Sequence, residues 1–394
     1  CIPIIKYVSA KNVKRKRKIK IKKSQWLNNY LDATKIKDVD LIVELIGGSE
    51  GAAKKLVFNA LKNKKHVVTA NKALIAKYGD QLSYIAEKNK VNFEFEASVC
   101  GGVPIIRSLK EGLIANKIFK IYGIFNGTSN YILSSMDKEN KSFNEVLTKA
   151  KKLGYAESNP SSDLNGDDVA SKLKILTSLC FNSFLNKEVY IEGIKNIDKT
   201  DIDNANKLGF KIKLLAFSEL LNNKIYQRVH PTLIKNNSYV AGIDGVLNAV
   251  IVEGKPVGQS IIQGEGAGPS ATTSALVSDI SSILRGNIKF PFSISSRKRK
   301  KIKFEKIDDR DFSAYFRFEV VDKPGVLSNI TNIFSRNKVS IKRLVQNPDK
   351  NKKTSTIIII THNSKDKYIK KILKETSNKY FVKSSPKLIR IDNI

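Results

Sequence analysis

VDLIVELIGG, residues 39–48, is a nearly continuous apolar run that closes on a glycine pair, Gly47-Gly48. Two runs of the same kind follow, HVVTA at His66–Ala70 and VNFEFEA at Val91–Ala97. Helix-period segments separate them, one reaching Leu61 and another covering Leu74–Lys88. Strands alternating with helices of about 10–15 residues read as βαβ units and a parallel sheet. Such sheets bind ligands beyond the carboxyl ends of their strands. Those ends carry Gly47-Gly48, Ala70-Asn71-Lys72 and Ser98–Gly102, which are glycine-rich or polar where the next helix should begin. Ile4–Val8, upstream, also reads as a strand.

The texture changes from about Pro104 to Gly266. Long helices are expected at Phe143–Leu153, Asp167–Cys180 and Asp201–Leu220, with strands at Lys117–Phe125 and Ala249–Val252. This reads as a second, α+β domain. A glycine-bearing stretch then leads into a helix at Ser270–Leu284, and Ser295–Lys303 is a basic linker. Beyond it AYFRFEVV (Ala314–Val321) alternates as a strand does, and DKPGVL leads into a helix at Ser328–Asn337. Strands follow at Val339–Gln346 and Thr354–Thr361, then a helix at Asp366–Ser377 and a strand at Val382–Ile391. The order βαββαβ is that of a ferredoxin-like module.

Composition excludes several classes. The chain has 394 residues, 41% apolar and 27% charged, which is ordinary globular usage. Its apolar runs fall short of the ~20 residues a membrane helix needs. CIPIIKYVSA places apolar residues before the basic run, the reverse of a secretory signal. Cys1, Cys100 and Cys180 are an odd set with no CxxC spacing, so neither a zinc site nor a disulfide framework is read, and a reducing cytoplasm fits. The net charge of +33 raises nucleic-acid binding. Only 12 of the 70 basic residues are arginine, however, and the lysines spread along the chain, with dense runs only at Lys14–Lys18 and Arg297–Lys301. No specific nucleic-acid partner and no membrane partner are therefore expected.

The segment GYAESNPSSDLNGDDVASKLK, residues 154–174, concentrates Glu157, Asp163, Asp167 and Asp168 before a helix, where carboxylates suit the dipole. Lys172 follows Asp168 by four residues on the same face. A lysine among carboxylates can act as a general acid or base once desolvated; a capped helix with a surface ion pair gives the same pattern. Lys72 in VTANK either faces the crevice or opens a helix with a solvated amine. FNGTSNY (Phe125–Tyr131) offers Asn126, Thr128, Ser129 and Asn130 either to a polar ligand or to a turn and cap. EASVCGGVP (Glu96–Pro104) could present backbone carbonyls to a hard cation or be a plain loop. GEGAG (Gly264–Gly268) could approach a phosphate, a weak signal alone. His66, His230 and His362 are isolated, so neither a Cys/His nucleophile pair nor metal-ligand spacing is seen.

Taken in order, VELIGG, HVVTANKALIA, FEASVCGGVPIIRSL, GIFNGTSNYIL, LGYAESNPSSDLNGDDVASKLKIL, RVHPTL and GEGAGPSATTSALVSDI resemble the homoserine dehydrogenase family over about residues 4–290. The tail resembles the ACT regulatory domain. The resemblance implies an NAD(P)-dependent oxidoreductase that interconverts L-aspartate 4-semialdehyde and L-homoserine in threonine, methionine and isoleucine synthesis. It implies Lys172 as proton donor and Lys72 as a second active-site lysine. Glu157, Asp163 and Asp168 match substrate-holding carboxylates, with Asn126 and Thr128 beside them. Gly47, Gly48, Lys72, Gly154, Gly264 and Gly266 match the cofactor crevice. Glu96, Val99, Gly101 and Val103 match a monovalent-cation site for sodium or potassium. Asp322, Gly325, Val326 and Leu327 would receive an effector, L-threonine by resemblance; a module that only dimerises is the other reading.

The implied architecture is a Rossmann-like domain over 1–104 (with 267–290 returning), a substrate and dimerisation domain over 105–266, a basic linker over 291–312 and an ACT domain over 313–394. The G-x-G-x-x-G turn and the first strand would precede Ile4, and the first residue is Cys, so a missing βα unit of about 30 residues is expected. An inactive homologue that only binds an amino acid is the competing reading. No acidic residue follows the strand at Ile4–Val8, and Lys14–Lys18 could hold a 2′-phosphate, so NADP is expected over NAD. A cytoplasmic homo-oligomer, dimer or tetramer, completes the expectation.

Overall fold

The computed structural model describes residues 2–185, 188–286, 288–349 and 353–394. Along the chain it forms β1 (Leu41–Glu44), α1 (Ala52–Lys62), β2 (His66–Thr69), α2 (Lys72–Asn89), β3 (Phe93–Glu94), the short α3 (Ile105–Arg107), β4 (Lys117–Ile124) and α4 (Gly127–Glu139). Next come α5 (Phe143–Lys152), α6 (Ser161–Asn165), α7 (Asp167–Phe181), β5 (Tyr190–Ile191), α8 (Lys199–Lys207), β6 (Phe210–Leu221), β7 (Lys224–Lys235), β8 (Leu247–Lys255), β9 (Gly258–Glu265) and α9 (Pro269–Leu284). The last part holds β10 (Lys303–Phe304), β11 (Asp311–Val321), α10 (Val326–Arg336), β12 (Ile341–Asp349), β13 (Thr354–Thr361), β14 (Ser364–Lys365), α11 (Asp366–Ser377) and β15 (Lys387–Asp392). The chain is an α/β protein that divides into two compact units.

The first unit comprises Cys1–Ile121, Ser171–Lys187 and Asn248–Ile302. Its three-stranded sheet has the order β1-β2-β3, all parallel, with Val43 opposite Val68 and Val68 opposite Glu94. Helices α1 and α2 are the crossovers, and their buried faces (Leu56, Val57, Leu61; Leu74, Ile75, Leu82) cover it. The N-cap of α2 is Asn71, whose side chain accepts from the Leu74 amide. Ile4–Val8 does not form the expected strand. Only Val8 makes a parallel bridge, to Trp26, and Ile4 and Ile5 are exposed, since no described strand runs alongside them. The basic stretch after α9 is anchored: Arg299 is buried, stacks over Phe292 and donates to the Ser183 carbonyl and the Ser178 hydroxyl.

The second unit comprises Tyr122–Ala170, Glu188–Leu247 and Lys303–Ile394. The helix expected over Asp201–Leu220 is instead a short helix and a strand. The α8 helix, opened by an Asp198 capping box, stops at Gly209, whose φ of +83° is left-handed. Then β6 pairs antiparallel with all of β7, a hairpin twelve residues long on each side. The C-terminal strands lie in the order β12-β13-β11-β15, all antiparallel, with α10 and α11 between them in sequence. This is the ferredoxin-like order. The last strand begins at Lys387, not Val382: Pro386 has no N–H to donate, and Val382 makes only a single bridge to Val320. The sheet does not end at β15. Arg390, Ile391 and Asp392 pair in parallel with Thr232, Leu233 and Ile234 of β7, so the module and the β6–β7 hairpin share one sheet.

Candidate active site

In the first unit, the turns at the ends of β1 and β2 are tied by one buried carboxylate. Glu44 accepts from the Ile46 and Gly47 amides at 2.6 and 3.0 Å and from the Thr69 hydroxyl at 2.6 Å. The Asn71 side chain then donates to the Gly48 carbonyl at 2.8 Å. Gly47 and Gly48 take φ of +83° and +77°, with open space where a Cβ would stand. Lys72, half-buried, is the first residue of α2, immediately after this knot.

The second feature of this unit is the loop from Glu96 to Val103. The Glu96 carboxylate, almost fully buried, accepts from the Ile106 and Arg107 amides at 2.9 and 2.7 Å and so caps α3. Its own amide donates to Asp279 of α9 at 2.9 Å. Burial pushes Glu96 up to about 7, although the two amides pull against it. Burial, with the charges of Glu94 and Glu96, raises Asp279 to about 7 as well. Gly102 donates to the Glu265 carbonyl at 2.8 Å, and a Cβ on Gly101 would stand 2.9 Å from the Gly266 carbonyl. On the other side of Gly266 lies the Asn248 amide, fully buried, with both polar atoms unpartnered among the described residues. Gly264 and Gly266 are thus glycines because two backbones and an asparagine meet there.

Of the residues matched to a cation site, Val99 and Gly101 have carbonyls that accept no backbone N–H among the described residues, whereas that of Val103 accepts from Ile105. The Val99 and Val103 side chains are core. Among the described residues, no group of three or more His, Cys, Asp or Glu could hold a metal. Cys100 and Cys180 are buried free thiols, and Cys1 lies outside the described residues.

In the second unit, Asn126 is the N-cap of α4, and its Oδ1 accepts from the Ser129 amide at 2.8 Å. That fixes its Nδ2, which donates to Asp163 Oδ1 at 2.8 Å and Asp168 Oδ2 at 2.9 Å. One asparagine thus brings together two of the carboxylates singled out in the sequence. Asp168 is buried on the first turn of α7; that helix runs on into the first unit, whose Lys172, also buried, follows Asp168 by four residues. Thr128 donates to the Tyr155 carbonyl at 2.6 Å, pinning the turn at Gly154, whose φ is +77°. Glu157 is exposed. Asn130 is part of the core: its Nδ2 donates to the Ile243 and Leu247 carbonyls, and its Oδ1 accepts from Lys213. Gly325, with φ of +85°, opens α10; Asp322 beside it is exposed, Val326 is buried and Leu327 is half-buried.

The sequence patterns missed Glu44, Asp279 and Asn248. Each acts on residues of another segment, so local spacing carries no sign of it. For Asp279 a signal existed: it is an acid on the otherwise apolar face of SALVSDI.

Comparison with known proteins decides what these features belong to. Residues 104–281 match the family model described as homoserine dehydrogenase, residues 5–96 the one described as homoserine dehydrogenase, NAD binding domain, and residues 314–378 the ACT domain. A homoserine dehydrogenase of Neisseria gonorrhoeae is 40% identical over 369 residues, which is 91% of this chain and 84% of that protein. The chain belongs to the homoserine dehydrogenase family. One from Bacillus subtilis is 36% identical, over all of this chain and 91% of its own. A solved homoserine dehydrogenase from Thiobacillus denitrificans superposes with a TM-score of 0.86 at 36% identity, covering 94% of this chain and 86% of its own. Family membership makes the chain an oxidoreductase acting on a CH–OH group with a nicotinamide nucleotide. Among the described residues, no helix is long and apolar enough to cross a membrane.

Proposed function

We propose that the chain reduces L-aspartate 4-semialdehyde to L-homoserine, with Lys172 as the proton donor. The observation that carries this is the Asn126–Asp163–Asp168 cluster, with Lys172 one turn beyond Asp168. An amino-acid substrate brings an α-ammonium, and two carboxylates aligned by one amide suit it. Glu157 is the third carboxylate of that set, and Thr128 holds the neighbouring turn in place. The nicotinamide nucleotide, when bound, supplies a hydride to the carbonyl carbon. The carbonyl oxygen then gains charge, and Lys172 Nζ passes it a proton, leaving the alcohol and a neutral amine that regains its proton from solvent. Lys72 orients the substrate.

The residues present suit a dinucleotide. The turn at Gly47-Gly48 is held open by Glu44, as a backbone approach to a ligand requires. Gly154, Gly264 and Gly266 are the further crevice positions. Arg17 donates to the Asn12, Val13 and Arg15 carbonyls, folding that loop so that Lys14, Lys16 and Lys18 remain exposed. This supports NADP over NAD. The Val99 and Gly101 carbonyls, with Glu96 and Val103, would take a sodium or potassium ion. L-Threonine would act at Asp322, Gly325, Val326 and Leu327 of a C-terminal regulatory domain, in a cytoplasmic homo-oligomer.

The test is nucleotide oxidation with L-aspartate 4-semialdehyde. Lys172→Met should lower kcat by about 10²–10⁴-fold without unfolding the chain, and NADPH should exceed NADH in kcat/KM. A variant as fast as the parent sinks the role of Lys172; NADH ahead of NADPH sinks the cofactor preference. Threonine that neither binds nor inhibits sinks the effector.

A further inference from the structure

We infer that the second unit carries a binding site for a small organic anion, a phosphate or carboxylate on an apolar body, distinct from the substrate and effector residues above. The site is a cleft of about 660 Å³. That volume falls in the range of roughly 300–1,000 Å³ typical of small-molecule sites. Phe210, at the start of β6, and Ile360, near the end of β13, give it apolar wall. Its polar rim is basic: Lys235 at the end of β7, Lys342 and Arg343 at the start of β12, and His362 just after β13. Among the described residues, no Asp or Glu lines it.

Three features separate this cleft from the general positive charge of the chain. First, the side chains of its four basic residues make no hydrogen bond or ion pair among the described residues. Elsewhere in the same module arginines are matched by acids: Arg310 with Glu219 and Glu305, Arg317 with Asp198 and Asp201, Arg390 with Asp366 and Glu192. A neighbouring cleft of about 170 Å³ contains Arg228 and Arg310, but Asp392 and Glu219 neutralise them, so it offers an anion little.

Second, β12 is irregular where it lines the cleft. Its register against β13 shifts between Ile341 and Arg343, leaving Lys342 without an opposite residue. In a regular strand successive side chains point to opposite faces. A bulge re-aims one of them, and here both Lys342 and Arg343 reach the cleft wall. Third, the absence of carboxylates argues against a zwitterionic amino acid, whose ammonium would find no counter-charge there. The cleft also lies at the opposite end of β11 from Asp322: it is lined by Ser313, near the strand's start, whereas Asp322 follows its last residue.

The walls come from two matched families, Phe210 and Lys235 from the dehydrogenase segment and Lys342 to His362 from the ACT segment. An anion bound there bridges the two segments beside the β15–β7 junction.

Phenyl phosphate is the probe, titrated calorimetrically into the full chain, with inorganic phosphate and benzoate alongside. Phenyl phosphate should saturate one site per chain, with inorganic phosphate about tenfold weaker for want of the apolar body. Benzoate binding as tightly would show that a carboxylate serves as the headgroup. Arg343→Glu and Lys235→Glu should each weaken binding about tenfold or more, while Lys365→Glu, outside the cleft, should not. Lys235 and Arg343 are exposed, and an unchanged melting temperature excludes unfolding as the cause. Failure to saturate, or binding that survives both cleft variants but is lost in Lys14→Glu/Lys16→Glu, overturns the site. None of these readouts depends on dehydrogenase turnover.

Discussion

The two units neutralise buried charge in different ways. In the first, Glu94 pairs with Lys110, but three other buried carboxylates collect backbone amides: Glu44 holds two loop amides, Glu96 holds two more, and Asp279 holds the Glu96 amide. In the second, beside the Asn126 cluster, several carboxylates face arginines. Asp366 and Arg390 pair at 2.6 Å with both side chains almost fully buried, and Arg317 of β11 grips Asp198 and Asp201 at the start of α8. Burial alone would lower the Arg390 pKa, but hydrogen bonding to Asp366 and the charge of Glu192 reverse this, so it stays charged. A carboxylate that collects amides shapes a loop. A carboxylate that meets an arginine joins one element to another.

The largest effect should come from breaking a seam. Arg390→Met leaves the buried Asp366 with only Lys370, 3.0 Å away, as its cation, and should cost about 3 kcal/mol in denaturant unfolding; a loss below about 1 kcal/mol would show that the pair joins nothing. Glu44→Gln should cost less, about 1–3 kcal/mol, and should act mainly on the turn, raising KM for the nucleotide more than it lowers kcat. Equal falls in kcat and kcat/KM would mean that Glu44 does more than hold the loop. Gly266→Ala places a Cβ 2.1–2.3 Å from the Asn248 amide atoms. It should destabilise by about 1–3 kcal/mol, and Asn248→Ala in the same chain should recover part of that; no recovery would place the strain elsewhere.

The smallest effect is in pH. Glu96 and Asp279 sit near 7 in the folded chain, above their ordinary 4.5 and 3.8. The folded state therefore holds protons that the unfolded chain has released. Their contribution is complete below about pH 4 and is lost as pH rises through 7, by on the order of 1 kcal/mol or more. Hydrogen exchange at the Ile106 and Arg107 amides, corrected for intrinsic rates, should slow as pH falls from 7 towards 4.5. Protection that is flat over this window would contradict the picture.

Much of this was legible in the sequence. The parallel strands, α2, α7, α9 and the βαββαβ order all show strong periodicity, and the acid cluster before α7 stood out by composition. The segment Asp201–Leu220 reads as one helix because KIKLLAFSELL carries apolar residues compatible with either period, and only pairing with β7 decides it. Thr128 and Asn130 look alike in the sequence, yet one pins a surface turn and the other lies in the core. The partners that set the loops were invisible for a simpler reason: Glu96 and Asp279 are 183 residues apart.

One strand bears a consequence for anyone who would shorten the chain. β7 pairs with β6 along one side, and on the other takes β10, β5 and β15 in turn. Cutting away the C-terminal module would strip Thr232–Ile234 of their neighbour and leave a bare sheet margin. Such margins recruit other chains. The ACT segment thus doubles as a shield against aggregation, and a chain expressed without it should need a charged residue or proline on that margin to stay in solution.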